Sequence, residues 1–334
     1  MKFDIARQPL VPAFLTLAAL AAAAMWGAAG RDFAATLPNG AAALQSEATA
    51  SPGALLLQFQ AAHPVWSRWI AGILILFTGM CAGRMTIRYN LYSVGTGLTI
   101  PLLGIVVCAV GSGATPLPDA AAVLLTALTV KNFCRAFRNG YGFDALFRAS
   151  LYLGLLLLTT PAALPLALLL PLALLLFGRT SREAVVAVAG LLLGPFLLCY
   201  ANWGAGGDFT APLTTIGRQL LAGPPLEFFR TLAPAGRILS GAVLLLDLTA
   251  ILCFLADIYA AGTKQRYMLI FHIGTLVLTL AALCGPAASS ADAVLFAVPS
   301  ALLIPFVLIR IRSSIASTIY LLLLCGTVAG LILQ

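Results

Sequence analysis

The chain has 334 residues, of which 61% are hydrophobic and 9% charged. A water-soluble domain carries about 25% charged residues, so the composition excludes a soluble globular protein and leaves no stretch long enough for a separate soluble domain. The net charge of +8 is no nucleic-acid signature, because the basic residues stand between apolar runs rather than on one face or tail. Their natural partner is an anionic membrane leaflet.

In chain order, Lys2 and Arg7 precede a first apolar run over residues 10–29. A cleaved signal peptide and a retained span both fit its small residues at Ala28 and Ala29, and its length favours the span. A polar stretch follows over residues 30–62, with a turn at Pro38-Asn39-Gly40 and Glu47. It ends in an apolar piece before Trp66 that suits an interfacial helix. Further spans are predicted over residues 64–83, stopped by Arg84 and Arg88, over residues 91–110, and from Asp119 to the basic group Lys131, Arg135, Arg138 and Arg148.

The stretch 149–178 reads as a short hairpin broken at Thr159-Thr160-Pro161 and stopped by Arg179 and Arg182. A seventh span ends at Tyr200, Asn202 and Trp203, which suit an aromatic belt. A second polar loop, residues 204–236, contains two short amphipathic pieces around Pro224-Pro225. Four more spans follow, over residues 237–259, 267–285, 292–309 and 314–333.

Charge tests this division. With the N-terminus inside, the inner segments hold Lys2, Arg7, Arg84, Arg88, Lys131, Arg135, Arg138, Arg148, Arg179, Arg182, Lys264, Arg266, Arg310 and Arg312, fourteen of the 19 basic residues. That bias predicts an all-α polytopic membrane protein: about eleven transmembrane segments in one integral domain, N-inside and C-outside. Omitting one hairpin arm would invert everything after it, so both arms are required. The expected home is the bacterial inner membrane.

The seven cysteines are scattered in apolar runs without a C-x-x-C, which argues against a disulfide framework and against a zinc site. No phosphate-binding loop, H-E-x-x-H or G-x-S-x-G occurs. What remains is a sparse polar set.

Asp247 lies mid-span. A carboxyl there costs about 2.5–3.5 kcal/mol on insertion scales, so it either serves an ion or proton site or bonds a neighbouring helix. Asp257, near the inner end of the same span, falls near the level of His272 in antiparallel register. It either pairs with that histidine or is solvated. Asp32 ends the first span beside Arg31, as a general base or ligand of a divalent cation, or as an ordinary helix-ending residue. Arg218, Arg230 and Arg237 cluster in the second outer loop, where basic residues are disfavoured. They suit a lipid phosphate, or local pairing with Glu227 and Asp208.

The segments G-L-L-L-L-T-T-P-A-A-L at 154–164 and P-L-A-L-L-L at 171–176, the stop Arg179–Arg182 and the long span ending in Tyr200-Ala-Asn resemble the middle of multi-pass GT-C glycosyltransferases. In size, first span and hairpin the chain also resembles a family of multi-pass inner-membrane proteins of Bacteroidota. The GT-C resemblance implies a polyprenyl-phosphate-linked saccharide handled at the outer face. It also implies Asp32 as the catalytic carboxyl and Arg31, Arg218, Arg230 and Arg237 around the lipid phosphate. Membrane lipids are the expected partners and nucleic acid is not. Two other classes compete: a transporter or flippase centred on Asp247, and a non-catalytic envelope scaffold.

Overall fold

The computed structural model describes residues 7–27, 51–110, 116–137, 140–221, 224–232, 234–259 and 262–333. Apart from their turns and connections these residues are helical, with no strand among them. In order they form α1 (Leu10–Gly27), α2 (Pro52–Ala62), α3 (Pro64–Arg88), α4 (Thr99–Val110), α5 (Leu117–Ala136) and α6 (Phe143–Thr159). A 3-10 run Pro161–Leu168 leads into α7 (Leu169–Leu176). Then come α8 (Ser181–Gly204), α9 (Ala211–Leu220), α10 (Glu227–Thr231), α11 (Pro234–Ala256) and α12 (Thr263–Leu283). A 3-10 run Ala291–Phe296 precedes α13 (Ala297–Leu308), and α14 (Ser313–Leu333) ends the described chain.

Among the described residues, six helices are long and apolar enough to cross a membrane: α3, α5, α8, α11, α12 and α14. Their apolar surfaces are unevenly covered. Only 22% of the apolar window of α8 and 28% of that of α11 are buried inside the protein, against 72% for α5. Apolar faces left open on that scale are at home only in hydrocarbon, so the chain is an integral membrane protein.

The centre is built from two short helices, α4 and α13, which pack on each other and are ringed by α1, α3, α11, α12 and α14. Every residue of α13 is buried, as is α4 over residues 99–109. A helix apolar on all sides must be enclosed, and TIPLLGIVVCAV and AVPSALLIPFVL have no polar face to turn outwards. At 12 residues each, they run about 18 Å, well short of a hydrocarbon core of about 30 Å.

The predicted helix over residues 91–110 is therefore wrong in its first part: residues 91–98 are not helical. Asn90 (φ 48°) breaks the chain after α3. Gly97 then donates its backbone N–H to Gln8 O at 2.9 Å, and a Cβ there would meet Gln8 O at 3.2 Å. Irregular backbone of this kind is tolerated where protein encloses it. Pro305 removes the N–H that would bond the Ala301 carbonyl, and on the same turn the Tyr92 hydroxyl donates to Leu302 O at 2.6 Å.

The hairpin differs from its expected form. Its first arm starts earlier, at Phe143, and is an ordinary helix of 17 residues. Its second arm opens as a 3-10 helix, because Pro165 and Pro171 each delete an i→i−4 bond. Gly178 (φ 59°) closes it in the left-handed conformation, with Arg179 N bonded to Leu174 O at 2.9 Å. The 3-10 run and α7 pack on α12, while the first arm packs on α8.

Contacts gather the helix ends into two groups. At one, Arg179 donates to Gly140 O and Ala136 O, Gln265 to Leu91 O, and Lys264 lies over the Tyr89 ring. This basic end also holds Arg84, Arg88 and Lys131. At the other, Gln60 of α2 accepts the Leu117 N–H, and Gly53 abuts Thr159 O. The apolar piece that ends the first polar stretch is thus a helix seated on the ends of α5 and α6.

Candidate functional site

The end opposite the basic cluster carries the polar residues that sequence reasoning singled out in the second outer loop. Helix α9 has Arg218 in its last turn, exposed, and contacts α8 and the 3-10 run of the hairpin. The short α10 presents an exposed Arg230. Arg237 behaves differently. Its Nε donates to Leu232 O at 2.7 Å and its Nη2 to Arg230 O at 2.9 Å. It satisfies carbonyls left over at the end of α10 and so holds Arg230 in place rather than offering itself to a ligand. Asp32 and Arg31 lie outside the described residues.

The same end holds a pair of carboxyls that the sequence did not single out. Asp119, in the first turn of α5, and Asp292, in the 3-10 run before α13, are both buried. They act on each other electrostatically. Asp292 is fastened: its Oδ2 accepts the Ser289 N–H and the Ser289 hydroxyl, both at 2.8 Å. Asp119 Oδ2 has no hydrogen-bond partner among the described residues. Above them, the buried Gln60 closes the start of α5. Two carboxyls so enclosed suit acid–base work or a cation. No cluster of three His, Cys, Asp or Glu able to hold a metal exists among the described residues.

The intramembrane residues separate from one another. Asp247 of α11 is 1% exposed and accepts the Ser300 hydroxyl of α13 at 2.5 Å. This is the helix-to-helix bond anticipated as one of its two readings. Asp257 does not pair with His272. It follows the end of α11 and meets Arg310, which also lies over the Phe306 ring at 4.1 Å. The register argument fails because Asp257 sits in the turn between helices, whereas His272 is nine residues into α12, about 14 Å deeper. His272 is 1% exposed, with neither ring nitrogen bonded among the described residues.

A further group is structural. Arg179 and Glu183 are both buried, 3.3 Å apart. Glu183 Oε1 also accepts the Gly142 N–H at 2.6 Å, and its Oε2 accepts the Thr180 N–H at 3.0 Å. Together with the Thr180 hydroxyl this makes a capping box at the start of α8. The result locks the α5–α6 connection to the α7–α8 connection. The arginine read from sequence as a basic stop is in fact a latch.

Comparison of the chain with protein-family models, curated proteins and solved structures returns no match, so the reading of its function rests on its own residues.

Proposed function

We propose that the chain is an eleven-segment protein of the bacterial inner membrane, N-inside and C-outside, that handles a polyprenyl-phosphate-linked saccharide at its outer face. The eleven segments are the six long helices together with α1, α4, α6, the 3-10 run with α7, and the segment ending in α13. The contacts that join consecutive helix ends alternately at the basic end and at the opposite end support this count. The charge bias supports its orientation.

The observation that carries the substrate class is that Arg218 and Arg230 are both exposed, on two short helices at the end opposite Arg84, Arg88 and Lys131. Guanidinium groups at a membrane surface suit a phosphate held by two charge-assisted bonds. Asp32, and any divalent cation it holds, belongs to the same face in this reading.

The test is binding of undecaprenyl phosphate to the purified protein. Arg218→Gln with Arg230→Gln weakens it about tenfold or more, whereas Arg310→Gln with Arg312→Gln leaves it unchanged. Equal binding by all three proteins removes the proposal. Unchanged sugar transfer by Asp32→Asn removes only the catalytic role of that carboxyl. A second reading, transport around Asp247, draws on its Oδ1, which has no hydrogen-bond partner among the described residues.

A further inference from the structure

A groove of about 880 Å³ opens at the basic end between α1 and α3, with Lys131 of α5 at its side. Most of its lining is apolar. Val11 is 70% exposed, and Phe77 and Met80 are each 52% exposed. Arg84, Arg88 and Lys131 line it too, and no acidic residue does. None of these three cations takes part in an ion pair among the described residues. Lys131 Nζ touches only the Cys81 thiol, at 3.9 Å, a weak acceptor that leaves its charge unmatched.

We propose that this groove binds one anionic phospholipid. Its phosphate lies against Arg84, Arg88 and Lys131, and an acyl chain lies along Val11, Phe77 and Met80. Three uncompensated cations at one end of an apolar trough match a ligand that is anionic at one end and hydrocarbon beyond it. Basic pockets between membrane helices hold acidic headgroups in this way. The volume falls within the roughly 300–1,000 Å³ of small-ligand sites.

The chain's own residues 1–6 suit the groove less well, because Lys2 offsets Asp4 and their side chains bring no net negative charge to the three cations. Which leaflet supplies the lipid rests on the N-inside orientation. The binding itself does not, and it is independent of the outer-face reading.

The experiment is native mass spectrometry of the full-length protein released from nanodiscs of mixed phosphatidylglycerol and phosphatidylcholine. The wild type keeps one phosphatidylglycerol. Arg84→Gln, Arg88→Gln and Lys131→Gln together weaken its retention by about a hundredfold, at about fivefold per cation. Lys264→Gln, Arg266→Gln and Arg312→Gln, which remove the same charge elsewhere at this end, do not. Met80→Trp fills the trough without changing charge and also expels the lipid.

Four results would overturn the proposal. One is equal loss in both triple variants. The second is retention by Met80→Trp. The third is displacement of the lipid by inorganic phosphate. The fourth is phosphatidylglycerol that binds only when residues 2–6 are deleted, which would seat the chain's own N-terminus there.

Discussion

Gly154 of α6 packs on the Leu191 carbonyl of α8: a Cβ built on the glycine would lie 2.5 Å from that oxygen. Leu191 is four residues before Pro195, so its carbonyl has no helical N–H to accept. Two turns earlier on α6, the Phe147 carbonyl meets Gly190 of α8 in the same manner, 2.7 Å from a Cβ built on that glycine. Small residues that let two backbones approach are a main source of helix association in membranes. Here they seat the first arm of the hairpin on its long neighbour.

Gly154→Ala therefore forces α6 and α8 apart. It costs about 1–3 kcal/mol, the usual range for overpacking, seen as a lower unfolding temperature in detergent. Gly217→Ala is the control. Its Cβ meets nothing within 4 Å and it sits in a helix, so it is neutral or stabilising by up to about 1 kcal/mol. Equal behaviour of the two variants would contradict the close approach.

The Arg179–Glu183 latch predicts an asymmetry. Glu183→Ala leaves a buried guanidinium unmatched and frees the Gly142 and Thr180 N–H groups, for a loss of about 3 kcal/mol. Removing both charges, with Arg179→Met and Glu183→Leu, costs less than the single change. A double variant as damaged as the sum of its parts would mean that the two side chains act independently.

Asp247 and Ser300 form one interhelical bond in a fully enclosed site. Such bonds are worth about 0.6–1.7 kcal/mol in membrane proteins. Ser300→Ala should lose that amount in chemical unfolding. Asp247→Asn should lose less, because an amide oxygen still accepts the hydroxyl. If the carboxyl instead forms a transport site, Asp247→Asn abolishes activity while stability is unchanged, and the two measurements separate the roles.

The carboxyl pair Asp119 and Asp292 gives a fourth outcome. Ser289→Ala removes the hydroxyl that holds Asp292 and costs about 1 kcal/mol. Asp119→Asn removes one of two mutually opposed carboxyls and is neutral or stabilising. A destabilised Asp119→Asn would mean that a cation or a proton shared with Asp292 holds the site together.

The membrane class and the long helices are legible in the sequence, because apolar runs and basic stops report directly on a bilayer. The interruptions are less so. Residues 91–98 set Leu91, Val94 and Leu98 among Ser93, Gly95, Thr96 and Gly97, and it is these small and polar residues that mark where the backbone leaves the helix. The Glu183 latch had a readable sign in Thr180-Ser-Arg-Glu183, the spacing of a capping box. Asp119 with Asp292, and Asp257 with Arg310, had none. Each joins residues far apart in the chain through packing that no local pattern encodes.

Orientation underlies the outer-face reading, and two open positions test it. A Cβ at Gly217 or at Gly262 meets nothing within 4 Å, so a cysteine fits at each in a background without the seven native cysteines. In intact cells, a membrane-impermeant maleimide should label Gly217→Cys at once, and Gly262→Cys only after the membrane is opened. Labelling of Gly262→Cys in intact cells, or protection of Gly217→Cys, would contradict the N-inside arrangement and, with it, the placement of Arg218 and Arg230 at the outer face.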